Sequence, residues 1–474
     1  MITIVSLGVE EGDLTQKGKS AILSAEKVLV RTALTASYQN VKELGKEHQT
    51  LDFVYETAKN FRSLHKKLAR VVLEEEKRFQ DVVYCVDGSA TEDNSVKEIL
   101  KKRKTAQVIS GVSKSENLAK IAKFSGCSFT ALSAYEAFEM RKNYGLCAPL
   151  IIYDLDDCDL AGDIKLLLAD CFGDETECLF IRGGKKKKIK IYELDRQKQY
   201  DYSTAVCLEK QEFLQKTRFS LADLEEIIRR LRLPNGCPWD RAQTPDSVKM
   251  CAVEESYELL DAILSGEANK ILEETGDVLM QAVFQAALQQ ERGAFNLTDA
   301  VSGVCEKLIT RHTHVFGEDS ASSASEALSV WDKNKMTEKS QHTFADAVND
   351  VPTCFPALLQ AQKICKRLSK GGWAFASFDG VKEKLKEEFE ELEKAVSSQD
   401  KAKIKEEVGD FLMCCAWLCR AVDTEGEEAL LETLSKIKKR YTAFEQAVIL
   451  DGKDVGALTR EEWLAYYRRA KEQA

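Results

Sequence analysis

Residues 251–264 read CAVEESYELLDAIL, and residues 271–277 read ILEETGD. Glu254, Glu255 and Glu258 stand beside Leu259, Leu260 and Ile263, where an ordinary helix buries its side chains. Side chains three or four apart share a helix face, so Glu255 and Glu258 point the same way. Glu274 and Asp277 form a second such pair on the next helix. Ser265-Gly266 breaks the chain between them. At ~1.5 Å per residue, both pairs stand ~10–12 Å from the bend, level with each other in a helical hairpin.

The pattern occurs twice. Glu387, Glu388, Glu391, Glu407 and Asp410 repeat Glu254, Glu255, Glu258, Glu274 and Asp277 at a constant offset of 133 residues. Gly276/Gly409, Leu279/Leu412, Met280/Met413 and the aromatic pair Phe284/Trp417 keep the same offset. Shared type and register over such a length mark an internal duplication. One acidic helix would ordinarily be a solvated face, but duplicated spacing argues for converging carboxylates. Four carboxylates brought together repel and raise each other's pKa, and a hard divalent cation removes that penalty. Oxygen-only ligands favour magnesium, with manganese as the alternative. A di-iron carboxylate bundle needs Glu-x-x-His, and none of the five histidines has a glutamate three residues before it.

The rest of the chain frames this helical pair. At 474 residues it exceeds one ordinary core, and roughly three domains are expected. Hydrophobic content of 44% and charged content of 31% describe a soluble globular protein, and only six prolines favour long helices. A net charge of −10 argues against direct nucleic-acid binding, which needs a basic footprint. No apolar run reaches the ~20 residues of a transmembrane helix. The opening MITIVSLGVEEGD reads as a β-strand rather than a signal peptide. The 15 cysteines are scattered with no CxxC pair, so reduced thiols in a cytoplasmic protein are expected rather than zinc sites.

Up to about residue 210, ITIVSL, KVLVRT, DVVYCV, AQVIS, PLIIYDL and TECLFIR alternate with helical stretches. That pattern predicts an α/β domain with a largely parallel sheet. The lysine run 185–188 after Gly183-Gly184 reads as a solvated hairpin turn preceding another strand. Beyond about residue 215 nearly everything reads as helix, with a soft boundary near residue 345.

CPWDRAQT, VEESYELLDAI, LEETGDVLMQAVFQAAL and CEKLITRHTHVFG (residues 237–317) resemble the MazG family of nucleoside triphosphate pyrophosphohydrolases, whose signature is EExxE followed by ExxD. AQKICKRLSKGGWAF, EEVGDFLMCCAWL and KIKKRYTAFEQAV (residues 361–448) resemble the second domain of two-repeat members. The N-terminal part is similar to the tetrapyrrole (corrin/porphyrin) methylases. Its SLGVEEGD departs from that family's GxGPGD turn, and Asp87 in CVDGS stands where proline is usual. Glutamate adds bulk and charge where glycine lets a ligand approach the backbone. S-adenosylmethionine is therefore a doubtful cofactor. The expected organisation is a degenerate methylase-like α/β domain at 1–210 and two all-α MazG-like domains at 218–342 and 345–474.

The resemblance implies cleavage of nucleoside triphosphates to the monophosphate and pyrophosphate. It gives Glu255, Glu258, Glu274 and Asp277, with Glu388, Glu391, Glu407 and Asp410, as metal ligands. Glu254 and Glu387 would handle the water's proton. Lys307 with Arg311, and Lys436 with Arg440, are basic pairs suited to a polyphosphate. Trp331 with Lys335, and in the second copy Trp463 or Tyr467, would contact the nucleotide. Trp239 and Trp373 read as packing residues. MazG helices pair with another copy, so either one repeat packs on the other or each packs on its partner in the expected homodimer. A nucleotide-sensing protein, or a methyltransferase with an accessory helical region, stays open as an alternative at this point.

Overall fold

The computed structural model describes residues 1–58, 61–124, 126, 128–141, 148–338, 343–375 and 377–473. The chain divides into two compact units, Met1–Leu297 and Thr298–Ala474, each described here by itself. The expected end of the first helical repeat, residue 342, lies outside the described residues.

The N-terminal strands are β1 (Ile2–Ser6), β2 (Lys27–Val30), β3 (Gln49–Thr50), β4 (Val82–Val86) and β5 (Gln107–Ile109). They form one sheet in the order β3-β2-β4-β1-β5, with every pairing parallel. Successive side chains face opposite ways. Ile2, Ile4, Leu29, Val82 and Tyr84 therefore pack against the helix Phe61–Glu75 through Leu64, Leu68 and Val72. Val5, Val28, Val30, Val83 and Cys85 pack on the other face with Ile22 and Val41. Both faces are covered, which is why these strands read as unbroken apolar runs.

The expectation of one largely parallel sheet needs correction. A second sheet contains β6 (Thr130–Ser133), β7 (Leu150–Tyr153), β8 (Glu177–Arg182), β9 (Lys185–Lys190) and β10 (Ala205–Leu208), ordered β6-β7-β10-β8-β9. Only β6 and β7 run parallel; the other three pairings are antiparallel. The lysine run is itself strand β9 on the edge of this sheet, and Gly183-Gly184, at φ 52° and 74°, make the turn. Lysines on an edge strand discourage further strand pairing, so the run has a structural use that its charge alone did not reveal.

The helical region contains α1 (Leu221–Arg232), α2 (Cys251–Ser265), α3 (Ala268–Glu291), α4 (Leu297–Arg311) and α5 (Ala324–Glu338). A second series follows: α6 (Ala357–Lys370), α7 (Phe378–Ser398), α8 (Lys401–Ala421), α9 (Gly426–Leu450) and α10 (Arg460–Gln473). Gly266 ends α2 in the left-handed conformation at φ 71°, the usual helix stop. Gln399 does the same for α7 at φ 55°, and Asp400 caps α8 by accepting from Ala402 and Lys403 N–H. The two hairpins thus turn where the sequence places its breaks. Buried Gln362 ties α6 to the start of α9: its Oε1 accepts from Gly426 N–H at 2.9 Å and its Nε2 donates to Thr424 C=O at 3.2 Å.

Small cores hold the helices together. Ile228, Val248, Val283, Phe284 and Leu288 form one; Cys365, Val381, Ala416 and Trp417 form another. Large apolar side chains stay exposed on the hairpins, including Leu272 and Leu279 on α3 and Val408 and Leu412 on α8. Among the described residues no helix is long and apolar enough to cross a membrane.

Candidate functional site

The α2–α3 hairpin brings Glu255, Glu274 and Asp277 together, each offering a carboxylate oxygen within 4.8 Å of the others. The α7–α8 hairpin does the same with Glu388, Glu391 and Glu407. The fourth expected member of each set, Glu258 and Asp410, is exposed and stands outside the tight group. Both remain within electrostatic reach. Partial burial raises the Glu274 carboxyl above its ordinary value, and Glu258, Glu273, Asp277 and Glu255 raise it further. Glu407 is raised in the same way, by burial first and then by Glu391, Asp410 and Glu388. Such crowding calls for a cation.

The donor set fits a hard divalent ion. Glu274 Oε2 is buried without a hydrogen-bond partner, a costly state unless a ligand completes it. Glu255 receives a long hydrogen bond from Gln281 Nε2 at 3.4 Å.

The two copies differ in one respect that the repeat analysis missed. Lys384 Nζ lies 2.8 Å from Glu388 Oε1 and 2.8 Å from Glu387 Oε1. The position 133 residues earlier is Cys251, so the first copy has no such cation. The signal was present in the sequence, since Lys384 stands three and four residues before these glutamates. Glu387 is thereby ion-paired, although it is exposed like its counterpart Glu254. Beside this group, Trp373, Phe375, Trp417, Glu388 and Asp410 line a cavity of about 230 Å³. Trp239 and Trp373 do not pack as expected: they are 64% and 68% exposed. Trp373 meets Trp417 edge-on at 6.4 Å because the α6–α7 turn leaves the indole at the rim.

The expected nucleotide-contacting residues fall as follows. Lys307 is exposed; Arg311 forms a two-pronged pair with Glu338 at 2.7 and 2.9 Å. Trp331 carries Arg311 at 5.4 Å and Lys335 at 4.7 Å from its ring centroid. All four lie in the second compact unit. Lys436 is exposed, and Arg440 Nε is buried without a hydrogen-bond partner. Trp463 stacks on Tyr467 at 5.0 Å and leans on Phe444 at 5.2 Å, within a small core cluster.

The N-terminal domain has its own cleft of about 260 Å³, reached by Gly8, Val9, Glu10, Gly88, Lys114 and Tyr153. Lys114 Nζ bridges Asp87 (2.6 Å), which follows β4, and Asp154 (2.9 Å), which follows β7. Arg31 pairs with Asp87 at 2.9 Å and Asp93 at 3.1 Å. Burial alone pushes the Asp87 carboxyl up, but Lys114 and Arg31 outweigh it and hold it well below the ordinary value.

Comparison with known proteins agrees with this geometry. The MazG nucleotide pyrophosphohydrolase domain matches residues 243–316 and again 377–444, so each match contains one complete acidic set. The Escherichia coli (strain K12) nucleoside triphosphate pyrophosphohydrolase is 36% identical over 52% of this chain and 95% of its own length. The chain belongs to the MazG family. Its N-terminal residues 1–195 match the tetrapyrrole (corrin/porphyrin) methylases. The uncharacterized protein YabN of Bacillus subtilis (strain 168) is 30% identical over 99% of this chain and 98% of its own. A Thermotoga maritima MazG, named nucleoside triphosphate pyrophosphohydrolase/pyrophosphatase, is 36% identical over 52% of this chain and 94% of its own. This MazG chain therefore combines two MazG domains with a methylase-type α/β domain.

Proposed function

We propose that this chain hydrolyses nucleoside triphosphates between the α and β phosphates, releasing the monophosphate and pyrophosphate and so limiting nucleotide pools. The observation that carries the reading is the recurrence of the three-carboxylate cluster in both hairpins. Glu255, Glu258, Glu274 and Asp277 would hold magnesium, or manganese, in one repeat, and Glu388, Glu391, Glu407 and Asp410 in the other. When bound, the ion neutralises phosphate oxygens and lowers the pKa of a water.

The protein's own groups do the rest. Glu254 and Glu387 accept the proton of the attacking water. Lys307 with Arg311, and Lys436 with Arg440, grip the polyphosphate. Trp331 with Lys335, and Trp463 with its stacked Tyr467, meet the base. Lys384 holds Glu387 and Glu388 in place at 2.8 Å each before substrate arrives.

The functional domains in this reading are 1–210, 218–342 and 345–474. A homodimer in the cytoplasm, without membrane or nucleic-acid partners, fits the exposed apolar stripes on α3 and α8 and the net charge of −10. The turn after β1 argues against S-adenosylmethionine: the N–H groups of Val9 and Glu10 both donate to Asp13 Oδ2 at 2.9 Å rather than to a ligand.

Pyrophosphate release from each common triphosphate, with and without magnesium, tests the reading. Wild type should release pyrophosphate only with the metal. Glu255→Ala/Glu258→Ala and Glu388→Ala/Glu391→Ala should identify the working repeat. Wild type that binds triphosphate yet releases nothing would make the clusters a sensor's site and refute the proposal.

A further inference from the structure

We propose that Glu338 is a positioning residue of the first repeat. It holds by one edge the guanidinium of Arg311, which on the hydrolytic reading above grips the polyphosphate, and so sets the other edge to take a phosphate.

Trp331, Asn334, Lys335 and Glu338 stand at i, i+3, i+4 and i+7 of α5, so they share one stripe. That stripe meets Arg311, the last residue of α4, at several points. Glu338 accepts from Arg311 Nε at 2.7 Å and from Nη2 at 2.9 Å. The Trp331 ring centroid lies 5.4 Å from the guanidinium. Asn334 Nδ2 donates to Arg311 C=O at 3.4 Å and to Thr313 Oγ1 at 3.0 Å, which pins the end of α4. Edge, face and backbone are all held, and the Arg311 side chain is only 14% exposed.

The edge left open is the one a phosphate needs. A guanidinium carries donors on more than one edge. Glu338 occupies the Nε/Nη2 edge, and Nη1 makes no hydrogen bond among the described residues. The Nη1/Nη2 edge can therefore give a two-pronged pair to a phosphate while Glu338 stays in place. Ordering a long side chain beforehand removes that entropy cost from the binding step. A carboxylate nearby also lowers the local positive potential, so positioning must gain more than this charge loses. The sign of the effect is measurable.

The second repeat has no such holder. With Trp463 in the place of Trp331, the same stripe of α10 is Trp463, Tyr466, Tyr467 and Ala470. It packs with Phe444 and Val448 as a small core. With Tyr467 in that place, the residue matching Glu338 is Ala474. Alanine replaces the carboxylate in either register. Arg440, the counterpart of Arg311, has its Nε buried without a hydrogen-bond partner. The two repeats thus differ in whether a carboxylate orients the arginine before substrate arrives.

The test uses the full chain with Glu388→Ala/Glu391→Ala, so that the first repeat is read, titrated calorimetrically with α,β-methylene-ATP in magnesium. This analogue is not cut between its α and β phosphorus atoms, so binding is measured apart from hydrolysis. Glu338→Ala should weaken binding roughly tenfold. Glu338→Gln, whose single amide oxygen can still accept, should recover part of that loss. In an Arg311→Ala background, Glu338→Ala should change binding less than about twofold, because nothing remains to be positioned. Unchanged or tighter binding in Glu338→Ala, no recovery in Glu338→Gln, or the same loss with and without Arg311 would each overturn the proposal. A parent chain that does not bind the analogue would instead remove the hydrolytic reading of the first repeat, and the positioning with it.

Discussion

Replacing Lys114 by methionine should loosen the N-terminal domain more than any surface change of similar size. Lys114, Asp87 and Asp154 have side chains only 15%, 5% and 19% exposed, so solvent screens the bridge weakly. Removing one partner of a buried ion pair costs about 3–5 kcal/mol. Asp87 keeps Arg31 at 2.9 Å, and Asp154 retains some water, so the lower end, about 3 kcal/mol, is expected. For a domain of this size that is a fall of roughly 6–12 °C in midpoint. Adding Asp154→Asn should return at least ~1 kcal/mol, because the variant no longer buries an unpaired carboxylate.

The pH dependence has a definite sign. Asp87 is depressed in the fold, so its contribution is present above the ordinary carboxylate range and lost as pH falls toward the depressed value. In Lys114→Met, where Asp87 is less depressed, that loss should be smaller and complete at higher pH. Differential scanning calorimetry of the full chain from pH 8 down through the carboxylate range reads both effects. A shift below 2 °C, or no recovery in the double variant, would refute the strut.

Three further outcomes follow from other regions. Magnesium at one hundred times its dissociation constant should stabilise the helical region by about 2.7 kcal/mol. That gain should shrink in each double carboxylate variant, as read by melting with and without EDTA. Gln362→Leu should cost about 1–3 kcal/mol, because Gly426 N–H and Thr424 C=O lose their partner; urea titration followed by circular dichroism measures it. Gly88→Ala should destabilise by about 1–2 kcal/mol. Its φ is +67° and a Cβ would come within 2.8 Å of Lys114 Cγ, so the calorimetric transition of the N-terminal domain should move down.

The sequence by itself determined which residues share a face. The β-branched runs at residues 2–7 and 82–86 mark strands, and the spacing of Glu255, Glu258, Glu274 and Asp277 requires a level hairpin, twice. Local geometry is sufficient for that, since the helical and strand periods are fixed by the backbone. The second sheet was only half legible, because short strands such as Thr130–Ser133 and Ala205–Leu208 carry too few residues to show a period. Only the tertiary structure decided which three carboxylates close up in each set and that Trp373 stays at the rim. It also decided that Lys363, Lys366, Arg367 and Lys370 of α6 line one cavity with Trp331. Periodicity orients a side chain about its own helix; what it meets depends on how separate helices pack, and that is set by contacts between residues far apart in the chain.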